Sequence, residues 1–218
     1  MTNHAHHHDH DHAPAHDHAA PPQPDEKIHS YYQILGLAMK ELLIEKGIVT
    51  PDEIRRMIEF RDSITPATGA AIVARAWTDP AYKQRLLADG SEAIREFGLD
   101  MGGTTLVVVE NTPAVHNVIV CTLCSCYPRN VLGLPPSWYK SREYRARTVR
   151  EPRRVLAEFG TQLAADVEVR VHDSTADMRY LVLPMRPAGS ENMDAAELAD
   201  LVTRDCMIGV AVPKAPAC

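Results

Sequence analysis

The first part of the chain carries the spacing of amphipathic helices. Between residues 28 and 47, apolar side chains recur at positions 34, 35, 38, 39, 42 and 43, which places them on one helical face. Further helix starts, marked by an N-cap residue followed by proline, lie at Thr50-Pro51, Thr65-Pro66 and Asp79-Pro80, and a short helix follows Gly90-Ser91. The pattern predicts an extended helical N-terminal segment over residues 25–98.

After Gly102-Gly103 the pattern changes, and β-branched runs alternate with helical stretches. Strands are predicted at 104–109, 117–120, 167–172, 178–183 and 207–212. Helices are predicted at 137–159, with a break at Pro152, and at 193–201. Residues 121–136 hold three cysteines and three prolines, which indicates a loop. The order of elements predicts an α+β fold, in which residues 99–218 form a layered, α-β-β-α-like domain.

Composition narrows the class of protein. Of 218 residues, 45% are hydrophobic and 24% are charged, which is typical of a globular chain. No apolar run approaches the roughly 18 residues of a membrane span, and a net charge of −6 argues against coating nucleic acid. Five cysteines, three of them within six residues, indicate a metal or redox site in a reducing compartment, here the cytoplasm, and not a disulfide framework.

Residues 1–24 differ from the rest of the chain. They contain eight histidines, interleaved with Asp, Ala and Pro, and no Lys or Arg. Such a segment buries too little apolar area to fold, so it is predicted to be a disordered tail. Two interpretations stay open: a natural metal-binding tail, and a passive or artificial one.

The informative stretch is the sequence Val-Cys-Thr-Leu-Cys-Ser-Cys at 120–126. A structural zinc site, a thioredoxin-type pair and an iron–sulfur cluster each explain only part of it. A different chelate fits: the Cys124 sulfur, the Ser125 and Cys126 amide nitrogens and the Cys126 sulfur close rings of six, five and five members around one metal. The sulfur of Cys121 can then bind the metal from one side of the plane of these four donors, and the coordination position on the other side stays open. Deprotonated amides require a trivalent cobalt or iron ion.

This motif resembles that of the nitrile hydratase α subunit. The resemblance covers roughly residues 30–213. Matching segments lie at 79–90, 109–112, 131–140, 144–153, 178–187 and 202–210. The γ subunit of thiocyanate hydrolase shares the motif and is the alternative.

The resemblance implies a site and an activity. Cys121, Cys124 and Cys126 are expected to bind one Co(III) ion per chain with the Ser125 and Cys126 amides, and iron is the lesser alternative. Cys124 is expected to be a sulfinate and Cys126 a catalytic sulfenate. Thr122 and Tyr127 are the residues typical of cobalt members. The reaction implied is hydration of a small nitrile to its amide.

The same resemblance implies partners. A β-type subunit, single or split into two chains, is expected to close the pocket in an αβ or (αβ)2 assembly. A metallochaperone or activator is a further expected partner. Six arginines within 142–154 suggest an interface with the partner subunit or a solvated helix. Neither nucleic acid nor membrane is expected to bind.

Two departures from the family pattern concern the pocket. Gly102 stands where a glutamine is common, and Arg129-Asn130 stands where Trp-Pro is common. Arg129 and Trp138 are therefore candidate pocket residues, and the loss of the indole together with the added positive charge favours a bulky or polar nitrile, or an anion such as thiocyanate. Three hypotheses follow: a cobalt nitrile hydratase α subunit, a thiocyanate hydrolase γ-type subunit, and a non-catalytic cobalt-binding protein.

Overall fold

The computed structural model describes residues 30–216, so the histidine-rich tail lies outside the described residues. The chain divides into two compact units, at 1–51 and 52–218. The helices are α1 (Tyr31–Glu45), α2 (Pro51–Ser63), α3 (Pro66–Thr78), α4 (Pro80–Ala88), α5 (Gly90–Ala93), α6 (Arg129–Leu132), α7 (Arg142–Arg150), α8 (Pro152–Glu158), α9 (Ala195–Asp200) and α10 (Arg204–Ile208). Short 3-10 helices span Ile94–Phe97 and Trp138–Lys140, and the strands are β1 (Thr105–Glu110), β2 (Val115–Val120), β3 (Glu168–Asp173) and β4 (Met178–Leu183).

The described part of the first unit is essentially helix α1. Ser30 caps it: the Ser30 hydroxyl accepts from the Gln33 amide, and the Gln33 side chain accepts from the Ser30 amide at 2.7 Å. Its apolar residues, such as Ile34, Met39 and Leu42, are exposed. An apolar stripe on an exposed helix is typical of a surface that another chain covers.

The second unit holds two small parallel sheets. Strand β1 pairs with β4, from Thr105 opposite Met178 to Glu110 opposite Leu183. Strand β2 pairs with β3, from Val115 opposite Glu168 to Val120 opposite Asp173. Parallel pairing joins strands that are far apart in sequence, and it brings the carboxyl ends of partner strands together.

The core of this unit joins helix α3 to the strands. Ile72 and Val73 of α3 are completely buried, as are Ile119 of β2 and Leu181 and Val182 of β4. Burying a side chain of this size contributes about 1.5–3 kcal/mol. The mixture of helices and small sheets confirms the predicted α+β class.

The strand predicted at 207–212 is wrong. Residues 204–208 form the short helix α10, which ends at Gly209 with φ +90°. A side chain at Gly209 would collide with the carbonyl group of Asn117, so the backbone makes its closest approach to β2 here. Short buried apolar runs have the same sequence pattern in helices and strands, which explains the error. Among residues 30–216, no helix has both the length and the apolarity needed to cross a membrane.

Candidate metal centre

The cysteine loop begins where strand β2 ends. Val120 is the last residue of the buried strand β2, and Cys121 follows it directly. The partner strand β3 ends at Asp173, opposite Val120. The loop therefore starts at the carboxyl edge of a parallel pair, a common position for binding sites in sheets with parallel strands.

The three thiols of this loop lie together, with their sulfur atoms all within 4.8 Å of one another. The Sγ atoms of Cys121 and Cys124 are 3.7 Å apart, and those of Cys124 and Cys126 are 3.2 Å apart. Two sulfurs bound at right angles to one ion, each at about 2.3 Å, would be about 3.2 Å apart. The cluster thus has the size of a single metal site.

The backbone between the last two cysteines is unusual. Ser125 has φ +92° and is the sole non-glycine residue with positive φ in the range 30–216. This conformation costs a non-glycine residue about 1–3 kcal/mol, and such residues cluster at functional sites. The strain lies at the residue whose amide is predicted to bind the metal.

Side chains from three other elements hold the loop in place. The Asp173 carboxylate accepts from the Thr122 amide at 2.9 Å and from the Thr122 hydroxyl at 2.6 Å. Arg145 of α7 donates from Nη2 to the carbonyl oxygens of Thr122 and Leu123, both at 3.0 Å. The Tyr139 hydroxyl donates to the Cys126 carbonyl oxygen at 2.8 Å. The loop conformation is therefore imposed by residues far along the chain.

Sequence reasoning did not identify the role of Arg145, because it treated the arginines of 142–154 as one surface. Other arginines of that group have different partners. Arg147 pairs with Glu151 and Glu158, and Arg153 donates to the Ala164 carbonyl oxygen at 3.1 Å. Nothing in the spacing of the six arginines distinguishes Arg145 from the other five.

The aromatic residues beside the loop are mostly packed. Tyr127 is buried and meets Tyr139 edge-on, with ring centroids 5.1 Å apart. Trp138 packs against Tyr144 at 4.9 Å and Phe159 at 4.7 Å, and it does not line the cavity described below. The rings form a rigid wall behind the loop.

The thiols differ in their affinity for protons. Burial opposes ionisation of Cys121, but the backbone amides of Cys124, Cys126 and Ser125 stabilise its thiolate and lower its pKa to about 7. Burial, together with hydrogen bonding to Cys124, raises the pKa of Cys126 to about 12, and Arg179 partly opposes this. Since metals bind thiolates, binding of a metal to Cys126 releases the proton of that thiol to solvent.

Other candidate ligands lie elsewhere. His116 Nε2 is 2.7 Å from the Gly209 carbonyl oxygen, and His172 Nε2 is 2.8 Å from Asn117 Oδ1. Burial lowers the pKa of both imidazoles below the ordinary value of 6.5. Cys206 is buried beside the Thr203 hydroxyl, 3.2 Å away, and is not part of the cluster.

A cavity of about 580 Å³ opens on the loop. Ser125, Cys126 and Tyr127 contribute to one wall, and Gly102 and Arg129 contribute to the rest. Both departures from the family pattern therefore lie in this cavity. A Cβ atom at Gly102 would meet only Asn130 Nδ2, at 3.9 Å, but the backbone φ of +60° disfavours any residue other than glycine here.

Comparisons with known proteins agree with this geometry. A family model described as nitrile hydratase, alpha chain, matches residues 30–211. The alpha subunit of a low-molecular-weight cobalt-containing nitrile hydratase from Rhodococcus rhodochrous is 57% identical, over 83% of this chain and 88% of that protein. The gamma subunit of thiocyanate hydrolase from Thiobacillus thioparus is 45% identical, over 88% of this chain and 84% of that protein.

Solved structures of both thiocyanate hydrolase and nitrile hydratase align with this chain: a recombinant thiocyanate hydrolase aligns with a TM-score of 0.77 and 44% identity, over 86% of this chain and 92% of that chain. A double mutant of the Fe-type nitrile hydratase from Comamonas testosteroni aligns with a TM-score of 0.74 and 44% identity, over 85% of this chain and 91% of that chain. The family match covers nearly all of the described residues and includes the cysteine loop and its anchors. This chain belongs to the nitrile hydratase alpha chain family.

Proposed function

We propose that this chain is the catalytic α subunit of a cobalt-dependent nitrile hydratase, which adds water to a nitrile and releases the amide. The observation that carries the proposal is the cluster of three thiols within 4.8 Å of one another, of which Cys126 lies in the wall of a cavity. The 57% identity to a cobalt-containing nitrile hydratase subunit supports it.

In this proposal the metal is held by the sulfur atoms of Cys121, Cys124 and Cys126 and by the amide nitrogens of Ser125 and Cys126. The donor set fits one ion, because the sulfur spacing has the right size and the backbone turns sharply at Ser125. In the mature site Cys124 is a sulfinate and Cys126 a sulfenate, and dioxygen is the oxidant that these changes require.

A bound trivalent cobalt supplies Lewis acidity, which polarises a nitrile or a water molecule. The residues of the chain supply position: Asp173, Arg145 and Tyr139 fix the loop, so that Cys126 faces the cavity. Either a sulfenate oxygen on Cys126 would attack the nitrile carbon, after which water would attack the sulfur, release the amide and restore the sulfenate, or that oxygen would orient a water molecule that attacks the carbon. In the net reaction the water oxygen goes to that carbon, and its two protons end on the nitrogen.

The resemblance favours cobalt over iron, because Thr122 and Tyr127 are the residues typical of cobalt members of the family. Tyr127 fills a buried position against Tyr139, and Thr122 is tied to Asp173 through its hydroxyl. We expect about one cobalt per chain when the protein is produced with cobalt available, measured by elemental analysis. Stoichiometric iron or zinc, with cobalt absent despite supply, would contradict the assignment.

A β-type partner, single or split into two chains, closes the cavity in an αβ or (αβ)2 assembly, with an activator that loads the metal. Exposed apolar side chains on α2, among them Met57 and Phe60, support a covering chain. The free cysteines at positions 121, 124, 126 and 206 support a cytoplasmic location. The proposed organisation is a tail at 1–24, a helical segment at 25–98 and a catalytic domain at 99–218.

The test is production of this chain with its partner in medium supplied with cobalt, followed by assays of amide formation from nitriles. Amide formation proportional to cobalt content is the expected result. Full cobalt loading without turnover of any cyano compound would overturn the catalytic role and favour a cobalt-binding protein.

Hydrolysis of thiocyanate is the second candidate function. The observation in its favour is the 45% identity to a thiocyanate hydrolase subunit. Thiocyanate turnover by the same complex, with no turnover of organic nitriles, would replace the first proposal with this one.

A further inference from the structure

One buried hydroxyl near the metal centre has no partner. Ser174 follows the last residue of β3, and its side chain is buried, with 2% of the residue exposed. Its amide donates to the Val120 carbonyl oxygen at 2.7 Å, which continues the contact of β3 with β2. The Ser174 Oγ atom makes no hydrogen bond of ordinary geometry with any atom of residues 30–216. A buried hydroxyl without a partner is costly, so a reason for this one must be sought in its surroundings.

The other buried serine and threonine hydroxyls of residues 30–216 are satisfied. Thr148, Thr161 and Ser190 each donate to a backbone carbonyl oxygen, at 2.6, 2.8 and 2.6 Å. The fold therefore gives a buried hydroxyl a backbone acceptor where the hydroxyl serves the fold. Ser174 is the exception among these four, and its amide bonds the residue that precedes the cysteine loop.

The Ser174 hydroxyl lies beside the phenol of Tyr139. Burial raises the pKa of this phenol, and the Ser174 side chain opposes the shift, which is the effect of a donor close to the phenol oxygen. Tyr139 is completely buried and donates its proton to the Cys126 carbonyl oxygen at 2.8 Å. A phenol oxygen that donates its one proton keeps lone pairs that accept. The two hydroxyls can therefore form a chain from Ser174 through Tyr139 to Cys126.

Two successive residues at the end of β3 thus reach the two ends of the cysteine loop. Asp173 is exposed and binds the amide and the hydroxyl of Thr122, near the start of the loop. Ser174 is buried and reaches Cys126, the last cysteine, through Tyr139. Neighbouring side chains along an extended backbone point to opposite sides, so one strand end can hold the loop from its exposed side and from its buried side.

We propose that Ser174 is a positioning residue for Cys126: in the assembled site its hydroxyl donates to Tyr139 Oη, and Tyr139 in turn holds the Cys126 carbonyl oxygen. Linked hydrogen bonds strengthen one another, so the pair fixes the backbone of Cys126 more firmly than Tyr139 alone. Hydrogen bonds of a catalytic site are often loose until the site is complete, which accounts for the unpartnered hydroxyl. The inference rests on the proposed function, since it takes Cys126 as the residue that acts on the nitrile.

The first test is steady-state kinetics of the cobalt-loaded complex of this chain with its partner, with acetonitrile and benzonitrile as a small and a bulky substrate. Ser174→Ala should lower kcat by about tenfold and change KM by less than about twofold, because a positioning hydrogen bond contributes to the transition state and little to binding of the nitrile. Ser190→Ala is the matched control. It removes another buried serine hydroxyl, and kcat should stay unchanged.

A double-mutant cycle tests the route through Tyr139. Tyr139→Phe keeps the ring and removes the hydroxyl that connects Ser174 to Cys126. Ser174→Ala should therefore cause no further loss of kcat when it is added to Tyr139→Phe. The sulfur-to-cobalt charge-transfer absorption of the same proteins reports on the geometry of Cys126 without turnover. At equal cobalt content this absorption should shift in Ser174→Ala and stay unchanged in Ser190→Ala.

A serine that serves only the fold would give different results. An unchanged kcat or an unchanged absorption spectrum for Ser174→Ala at full cobalt content overturns the inference, even if the urea midpoint falls. An equal loss of kcat with and without the Tyr139 hydroxyl also overturns it. Failure of the unaltered, cobalt-loaded complex to hydrate any nitrile overturns the proposed function instead, and the absorption spectra then decide whether Ser174 positions Cys126.

Discussion

At the scale of the residue, the two neighbours Ser125 and Cys126 differ in how much the proposed site depends on their side chains. Ser125 contributes its backbone, which turns with φ +92°. Cys126 contributes its sulfur to the cluster and lies in the cavity wall. Substitution of a side chain therefore has very different consequences at these two positions.

Replacing Cys126 by serine should abolish turnover, because a serine alkoxide is a harder donor and cannot become a sulfenate. Ser125→Ala is the matched control: alanine keeps the amide, and losing one hydrogen bond costs about 1–3 kcal/mol, or about 5- to 150-fold at most. Turnover and cobalt content are measured for both variants. Near-normal turnover of a cobalt-loaded Cys126→Ser variant would show that the oxidised-thiolate mechanism is wrong.

At the scale of the element, helix α7 and strand β3 hold the cysteine loop from two sides. Arg145 binds two carbonyl oxygens of the loop, and Asp173 binds both the amide and the hydroxyl of Thr122. A rigid loop keeps the three sulfur atoms at the spacing of one ion. Retention of the metal should therefore depend on these anchors.

Arg145→Gln should speed the loss of cobalt to a chelator by about tenfold or more, since supporting residues of metal sites typically change affinity 10- to 100-fold. Arg150→Gln, an exposed arginine on the same helix, is the control and should behave like the unaltered protein. Cobalt release is followed by elemental analysis after timed incubation. Equal release rates for the two variants would exclude an anchoring role for Arg145.

A second contact between elements should be sensitive to pH. His116 of β2 lies between the Gly209 carbonyl oxygen at 2.7 Å and Asn111 Nδ2 at 3.4 Å. Burial holds the pKa of its imidazole below the ordinary value of 6.5. The unfolded chain therefore takes up a proton near pH 6.5 while the folded chain resists it, so this contribution to stability is complete above that pH and falls below it.

We expect the urea midpoint of the complex to fall between pH 7.5 and pH 5.5, measured at one protein concentration. His116→Gln should reduce that fall, because glutamine does not titrate. His172, whose pKa is also lowered by burial, accounts for part of the fall that persists. An identical fall in the variant would show that protonation of His116 does not control stability.

An element can be predicted from the sequence when local residues determine it, and not when a contact with a distant segment does. Local signals sufficed where a cap or a breaker is present: Asp79-Pro80 begins α4, and the break at Pro152 separates α7 from α8. The resemblance to nitrile hydratase, carried by the cysteine motif, is confirmed by the family match. Residues 204–208 were misassigned because their helix depends on the approach of Gly209 to Asn117, a contact across 92 positions that no local pattern encodes.

The lining of the cavity beside the cysteine loop, which includes four cationic side chains, also depends on contacts between distant segments. Arg129 was recognised from its departure from the family pattern, but Arg61, Lys140 and Arg179 come from distant segments, and only the fold brings them to one mouth. Each of the four segments contributes one cationic side chain, so no local sequence motif marks the cavity.

At the scale of the whole molecule, the folded part and the tail are expected to be independent. Residues 1–24 are rich in histidine and far in sequence from Cys121, and they contain few residues able to join a core. Their removal should leave the fold and the cobalt content unchanged, and at most slow cobalt loading when cobalt is scarce. Circular dichroism and elemental analysis of the truncated protein provide the check. A truncated chain that fails to fold would contradict this expectation.

The hydrogen bonds between Thr122 and Asp173 join residues 51 positions apart. During synthesis, the cysteines leave the ribosome well before the strand that anchors their loop. A nascent chain of that length therefore exposes three thiols without the support that gives them their spacing. Metal capture at this stage would be unselective, so we expect cobalt insertion to follow the pairing of β3 with β2. The separation of 51 positions between Thr122 and Asp173 therefore implies an order of maturation in which folding comes first and metal binding second.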